Sequence, residues 1–263
     1  MRALTFALTM AMIAGPAAAE SVSLYAAGSL KAALTEVAKA FETANGNTVQ
    51  AKFGASGLLK DEIAGGAKAD LFASANMEHP QALHDAGKSG AVVLFARNKL
   101  CALVKPGLKV DSVTLLERML EPQIKLGTST PKADPSGDYA FEAFHKAGVL
   151  KPGAQATLEK KALQLTGAKD SPQPPAGRTV YGWHVAEGRA DIFLTYCTNA
   201  LIAQKENPGQ QIVALPESLS VGADYGLTVM SAAPAAAQSF AQFIVSAAGQ
   251  KILVSHGFAA GTK

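Results

Sequence analysis

LYAAGSLKAALTEVAKAFE (Leu24–Glu42) packs a strand, a small-residue turn and a helix into nineteen residues. Ser21 to Ala27 is an apolar run of strand length, and Gly28-Ser29 is a turn with a helix-capping residue. Leu30, Leu34, Val37, Ala38 and Phe41 then recur at helical spacing, until Asn45-Gly46-Asn47 closes the helix. The next stretch repeats the scheme. Thr48 to Phe53 alternates as a strand, Gly54-Ala55-Ser56-Gly57 is a second turn, and Leu58 to Ala64 is a second helix ended by Gly65-Gly66. Asp70 to Ser74 reads as a buried strand. Strand, helix, strand, helix, strand predicts a parallel sheet covered by helices, because parallel neighbours need a crossover long enough to hold a helix.

Further along, LCALVK from Leu100 reads as a strand ended by Pro106-Gly107, Leu115 to Leu120 as a helix, and Ile124 to Ser129 as a strand. Thr130 to Gly137 is rich in turn residues and leads into a helix over Asp138 to Ala147. Thr166 to Gly177 carries three prolines and reads as a loop. A helix over Arg178 to Gly188, a strand over Asp191 to Tyr196, a strand over Gly226 to Ser231 and a helix over Ala235 to Ser255 complete the chain. The tally predicts an α/β protein of two lobes, each a mostly parallel sheet flanked by helices. With 263 residues, 48% of them hydrophobic, the chain can bury a sizeable core. Only 17% of residues are charged and the net charge is +3, which is no argument for a nucleic-acid partner.

The first residues carry a targeting pattern. Arg2 precedes an apolar stretch, Ala3 to Ala14, that is too short to span a bilayer; Gly15-Pro16 breaks it, and Ala17-Ala18-Ala19 offers small residues before Glu20. This predicts a secretory signal peptide over residues 1–19, hence export to the periplasm. Export permits a disulfide between Cys101 and Cys197; two inert buried thiols are the alternative. The pair alone is no structural zinc site, which calls for four ligands.

The functional signal lies in the turns. Gly28-Ser29, Ser56-Gly57 and Pro135-Ser136-Gly137 each place a hydroxyl and free backbone N–H groups where a helix begins. Helix N-termini have orphan donors and a partial positive charge, and so attract anions. In open α/β sheets such turns gather where ligands bind. A single serine of this kind is ordinarily just a cap; recurrence at several junctions makes the case.

LYAAGSLKAALTEVAKAFE, FGASGLLKDEIAGGAKADLFASAN and SFAQFIVSAAGQKILVSHGF resemble the periplasmic molybdate-binding proteins of ABC importers, of the type II periplasmic binding protein fold. The resemblance covers nearly the whole mature chain and is looser between Thr128 and Gly188. It implies a ligand cleft between lobe one, residues 20–97 plus 226–263, and lobe two, residues 98–225. It also implies capture of molybdate, with tungstate, for a membrane permease and its cytoplasmic ATPase. Carried over by position, the oxyanion donors fall on Ser29, Ser56, the main chain near Ser136, the hydroxyl of Tyr196, and a further main-chain donor near Arg178. Two features depart from the family pattern. The loop GTSTPKADPSGDY is long and brings in Asp134; carboxylates join the site in related archaeal tungstate and molybdate binders, while before Pro135 the residue also reads as a turn former. Arg178 would add a fixed charge to a site otherwise made of neutral donors.

Neutral hydroxyl and N–H donors suit molybdate, tungstate or sulfate, whose two charges spread over four acceptor oxygens. Hydrogen phosphate must also donate a proton, and it is disfavoured unless Asp134 faces inward to accept one. No cofactor is expected, and the chain is expected to act as a monomer. Rival readings are weaker. His79, His84, His145, His184 and His256 form no zinc spacing, His184 and Glu187 lack a third ligand, and no nucleophile or nucleotide motif is present. The histidines read mostly as surface residues. A ferric-iron carrier would use Tyr139, Tyr181 and Tyr196, which are scattered in sequence; a small organic acid would use Arg178 in a roomy apolar pocket. Trp183 reads as core or cleft wall.

Overall fold

The computed structural model describes residues 20–261; the expected signal peptide lies outside them. The opening stretch folds as read. β1 (Ser21–Ala27) leads through a 3₁₀ turn (Gly28–Leu30) into α1 (Lys31–Asn45), then β2 (Thr48–Gly54), α2 (Ser56–Ala64) and β3 (Leu71–Ser74). Ala33, Leu34, Val37, Ala38 and Phe41 form the buried face of α1. Gly46 ends that helix at φ 72°, its N–H donating to Glu42 O at 2.9 Å, as a left-handed cap does. β1 pairs in parallel with both β2 and β3.

α3 (Glu78–Asp85) follows, and then β4 (Val93–Val104), twice the expected length. Its first half carries Arg97, Asn98 and Lys99, polar residues that hide a strand in the sequence. The rest is α4 (Leu115–Leu120), β5 (Leu126–Ser129), α5 (Pro135–Leu150), α6 (Ala154–Lys161), β6 (Leu163–Thr166), α7 (Val180–Ala186), β7 (Ile192–Tyr196), α8 (Cys197–Glu206), β8 (Gln211–Ala214), β9 (Gly222–Val229), α9 (Ala235–Val245), α10 (Ala247–Ser255) and β10 (Ala259–Ala260). The expected last helix is two, because Ser246 interrupts it and caps the second half, its Oγ accepting from Gly249 N at 3.3 Å.

β4 serves two strand groups. Residues Val93–Lys99 pair antiparallel with β9, which pairs antiparallel with β3. Residues Leu100–Val104 pair antiparallel with β7 on one side and β8 on the other. β5 then runs parallel to both β7 and β6. The outer strands are therefore parallel and the strands around β4 and β9 antiparallel, a mixed, helix-flanked α/β architecture of two lobes. The C-terminal segment returns to the first: Phe41 of α1 meets Phe240 and Phe243 of α9 at ring separations of 4.9 and 5.7 Å.

Cys101 of β4 and Cys197, the first residue of α8, form a disulfide with a Cα separation of 4.8 Å, within the span such bonds require. It ties the helix that starts just after Tyr196 to the central strand. Among the described residues no helix is long and apolar enough to cross a membrane.

Candidate functional site

A cavity of about 870 Å³ lies where the β1, α2, β3 and β7 ends meet the loop before α7. Ser29, Ser56, Ala75, Asp134, Arg178 and Tyr196 all line it. It therefore draws together residues far apart in sequence, from both strand groups.

Ser29 sits in the 3₁₀ turn and does not cap α1. Its Oγ is 3.0 Å from Tyr225 Oη of β9. Asn98 Nδ2 of β4 donates to Tyr225 Oη at 3.3 Å and to Thr198 Oγ1 at 2.8 Å. Ser29 is thus held by a buried polar network anchored on the central strand. Ser56 is the first residue of α2, and its Oγ accepts from Ala75 N at 3.1 Å. That bond leaves the Ser56 hydroxyl hydrogen free to be donated. Neither serine plays the simple capping role that residue type suggests.

Tyr196 closes β7, 1% exposed, and its Oη lies 3.4 Å from Ala75 O. Its ring packs against Tyr139 and Tyr225 at 6.2 and 5.5 Å. Burial pushes the phenols of Tyr196, Tyr225, Tyr181 and Tyr139 up from their ordinary values, so they stay neutral donors. Among the described residues no group of three His, Cys, Asp or Glu could hold a metal ion.

Two expected positions change places. Ser136 does not line the cavity: its N–H donates to Asp134 Oδ1 at 3.1 Å, and its buried Oγ has no partner. Asp134, the cap of α5, lines the cavity instead. Burial raises its carboxyl to about 6, opposed by the Ser136 amide and the Ser129 hydroxyl. Gly167, at φ 92°, packs against it; a Cβ there would fall 2.6 Å from Asp134 Cβ. Arg178 lines the cavity, but its guanidinium donates to Asn207 Oδ1 at 3.3 Å and its N–H to Pro175 O at 3.1 Å. The next amide, Thr179 N, donates to Glu206 Oε2 at 2.8 Å. The main-chain donors read near Arg178 are therefore already partnered within the chain.

Next to two cavity-lining residues, Ser56 and Asp134, Gly57 N of α2 donates to Ala133 O at 2.9 Å. A Cβ on Gly57 would fall 2.3 Å from Lys132 O and 2.7 Å from Ala133 O, so this approach of two backbones admits only glycine. Sequence reasoning missed Ala75, Tyr225, Asn98 and the Gly57 contact. The Gly in the Gly54–Gly57 turn was the one available signal for the last.

His184 corrects the surface reading of the histidines: it is fully buried, its ring stacked on Phe193 at 6.1 Å. Burial and the Arg189 charge push its imidazole down, toward the neutral form. Trp183 is core, buried beneath the Arg189 guanidinium at 4.0 Å, and does not line the cavity.

Two strand groups around a cleft lined by neutral hydroxyl donors define a solute-binding carrier of the periplasmic binding protein class. The chain belongs to the bacterial extracellular solute-binding protein family, whose model matches residues 22–259. An uncharacterized protein of Pasteurella multocida is 33% identical over 236 residues, covering 89% of this chain and 97% of its own. The molybdate-binding protein ModA of Mycobacterium bovis is 27% identical over 260 residues, with 94% and 87% covered. The periplasmic molybdate-binding protein of Azotobacter vinelandii superposes with a TM-score of 0.74 at 19% identity, covering 92% of this chain and all of that one. A sulfate-binding protein of Mycobacterium tuberculosis and an iron-bound protein of Pseudomonas aeruginosa share the fold as well, so the fold alone does not choose the ligand.

Proposed function

We propose that the chain captures molybdate, and with it tungstate, in the periplasm and delivers it to an ABC importer, with no catalytic step of its own. One observation carries this reading: the hydroxyls of Ser29, Ser56 and Tyr196 converge on one cavity from separate elements, and all are neutral donors. A tetrahedral dianion offers acceptors in every direction, so donors on opposite walls can each take an oxygen. Hydrogen bonds to a charged acceptor contribute roughly 1.5–3 kcal/mol each, enough for micromolar binding or better from a handful. Lobe two is drawn as residues 98–225, with the leader over residues 1–19 removed on export, and closure of the two lobes holds the anion.

Titration calorimetry of the mature, ligand-stripped protein with molybdate tests this, with tungstate, sulfate and phosphate as competitors. One-to-one binding of molybdate and tungstate, with sulfate far weaker, is the expected result. A clear signal from another anion alone moves the function to that ligand, and no signal from any oxyanion ends the reading.

A further inference from the structure

We propose that Asp134 binds a proton together with the oxyanion, so that capture of a fully deprotonated dianion is coupled to proton uptake. The inference rests on the oxyanion reading above and adds to it a specificity-setting residue.

The argument starts from position. Asp134 lines the same cavity as Ser29, Ser56 and Tyr196. Its backbone is fixed as the cap of α5, and Oδ1 accepts from Ser136 N. Gly167 closes over the other side, near Oδ2, where any side chain would collide. The Ser136 amide thus holds the carboxyl on one side, while glycine at 167 leaves room for it on the other. An ionised carboxylate offers only acceptors, and so does a tetrahedral dianion. The two would repel, the more so because the carboxyl is partly withdrawn from water. A protonated carboxyl instead donates, and becomes one more neutral hydroxyl beside the serines and the tyrosine.

The surroundings leave Asp134 uncompensated. From β5 the Ser129 hydroxyl faces it; Tyr181 of α7 and Tyr196 of β7 are close enough for its charge to raise their phenols. On its own helix the charged neighbour is Asp138, a like charge, and α2 contributes the backbone of Gly57 at Ala133. The cavity's other charged residues are Lys31, Lys169 and Arg178 against Glu62 and Glu206, and among the described residues none forms a salt bridge with Asp134. No histidine lines the cavity. Burial already brings this carboxyl to about 6, and a dianion at hydrogen-bonding distance raises it further. Below that pH the proton is already in place and binding is not linked to it. Above it, each binding event must take one up, and affinity falls as pH rises, by at most about tenfold per unit.

The test is calorimetric titration of the mature protein with dilute molybdate and with sulfate between pH 6 and 8.5. Each point is run in buffers of different ionisation heat, so that protons taken up are counted directly. Wild type should take up close to one proton at the upper end, with the dissociation constant rising along the pH series. Asp134→Asn, which keeps a cap acceptor, should show neither effect, and Asp134→Ser serves as a second capping variant. The proton count on wild type needs no variant at all. A flat profile, an unchanged slope in both variants, or release of a proton on binding would each overturn the proposal while leaving the oxyanion site standing. Failure of every oxyanion to bind at any pH removes the oxyanion reading and this inference together.

Discussion

Replacing Gly57 by alanine separates closure from folding. The Cβ of alanine would sit 2.3 Å from Lys132 O and 2.7 Å from Ala133 O. Carbon–oxygen contacts need roughly 3.3 Å, so the approach of α2 to the loop before α5 is short by about 1 Å and about 0.6 Å. Both obstacles are backbone atoms, which cannot rotate aside. Overpacking of this order costs about 1–3 kcal/mol, and if the contact forms only on the lobe closure proposed above, the closed arrangement alone bears it. A carrier that binds in the closed form then loses affinity by roughly 5- to 150-fold. In an opened cleft the methyl meets solvent, and within the first turn of α2 alanine is the better helix former, by up to about 1 kcal/mol. The expected outcome for Gly57→Ala is a melting temperature equal to or above wild type without ligand, with a smaller rise on adding saturating oxyanion. Calorimetric affinity and ligand-dependent melting measured on the same preparation check this. Wild-type affinity in the alanine variant would refute the claim that this contact belongs to the bound state; a lower ligand-free melting temperature would show that it belongs to the fold.

The site hydroxyls give a second expectation. Ser56→Ala and Tyr196→Phe should each weaken oxyanion binding by tenfold or more, the loss of one hydrogen bond to a charged acceptor, without unfolding the protein; Ser56→Ala also frees Ala75 N and so gives the smaller loss. Titration of both variants decides, and unchanged affinity in each removes these residues from the site. Converting Cys101 and Cys197 to serine opens a loop spanning 96 positions, for which chain entropy predicts a loss of at most about 4–5 kcal/mol and a drop in melting temperature of at most roughly 10–20 °C. Equal melting of wild type with and without reductant would show the bond absent in solution. Asp134 supplies a pH-dependent prediction. Its folded value is raised by burial to about 6, so its contribution is complete below the unfolded value and is lost as pH rises through 6. Asp134→Asn keeps the cap and removes that loss, so it should be more stable than wild type by up to about 3 kcal/mol at pH 8 and equal to it near pH 3.5; urea denaturation at the two pH values decides, and a constant difference contradicts the assignment.

What the sequence disclosed follows from which signals are local. The first strand–turn–helix repeats are legible because Leu34, Val37 and Phe41 keep strict helical spacing and the turns carry Gly and Ser. The turns also pointed to Ser29 and Ser56, because a hydroxyl after a strand end is a local pattern. Other parts depend on distant partners. Arg97, Asn98 and Lys99 read as polar connection, yet they form a strand because β9 supplies the ladder and Asp224 pairs with Arg97 at 3.1 Å. Tyr225 shows nothing in its own segment of its place under Ser29, which lies 196 positions away. The resemblance places a donor near Ser136 and only adds Asp134, because the two stand side by side at the start of α5 and only the dihedral path of the turn decides which one faces the cavity. His184 sits near charged residues in sequence and was read as exposed, whereas the α7 face that carries it packs on Phe193.

The same carboxyl bears on the choice among anions of one tetrahedral shape. Molybdate, tungstate and sulfate offer oxygens that only accept, while hydrogen phosphate must donate one proton. With Asp134 protonated, its carboxyl donates alongside the hydroxyls of Ser29, Ser56 and Tyr196, and hydrogen phosphate loses the Asp134 carboxylate as an acceptor for its own hydrogen, a loss of roughly 1–3 kcal/mol in a buried site. With Asp134 ionised, the acceptor that hydrogen phosphate needs is present, and the fully deprotonated anions meet a like charge instead. Discrimination against phosphate should therefore be strongest below about pH 6, where burial keeps the proton on Asp134, and should narrow as pH rises. Pocket size does not change with pH, so once the phosphate affinities are corrected for the fraction present as hydrogen phosphate at each pH, size alone gives no such trend. A competition series of molybdate against phosphate at pH 6 and pH 8 thus separates selection by charge from selection by dimension, and a ratio that stays constant assigns selectivity to the cavity walls alone.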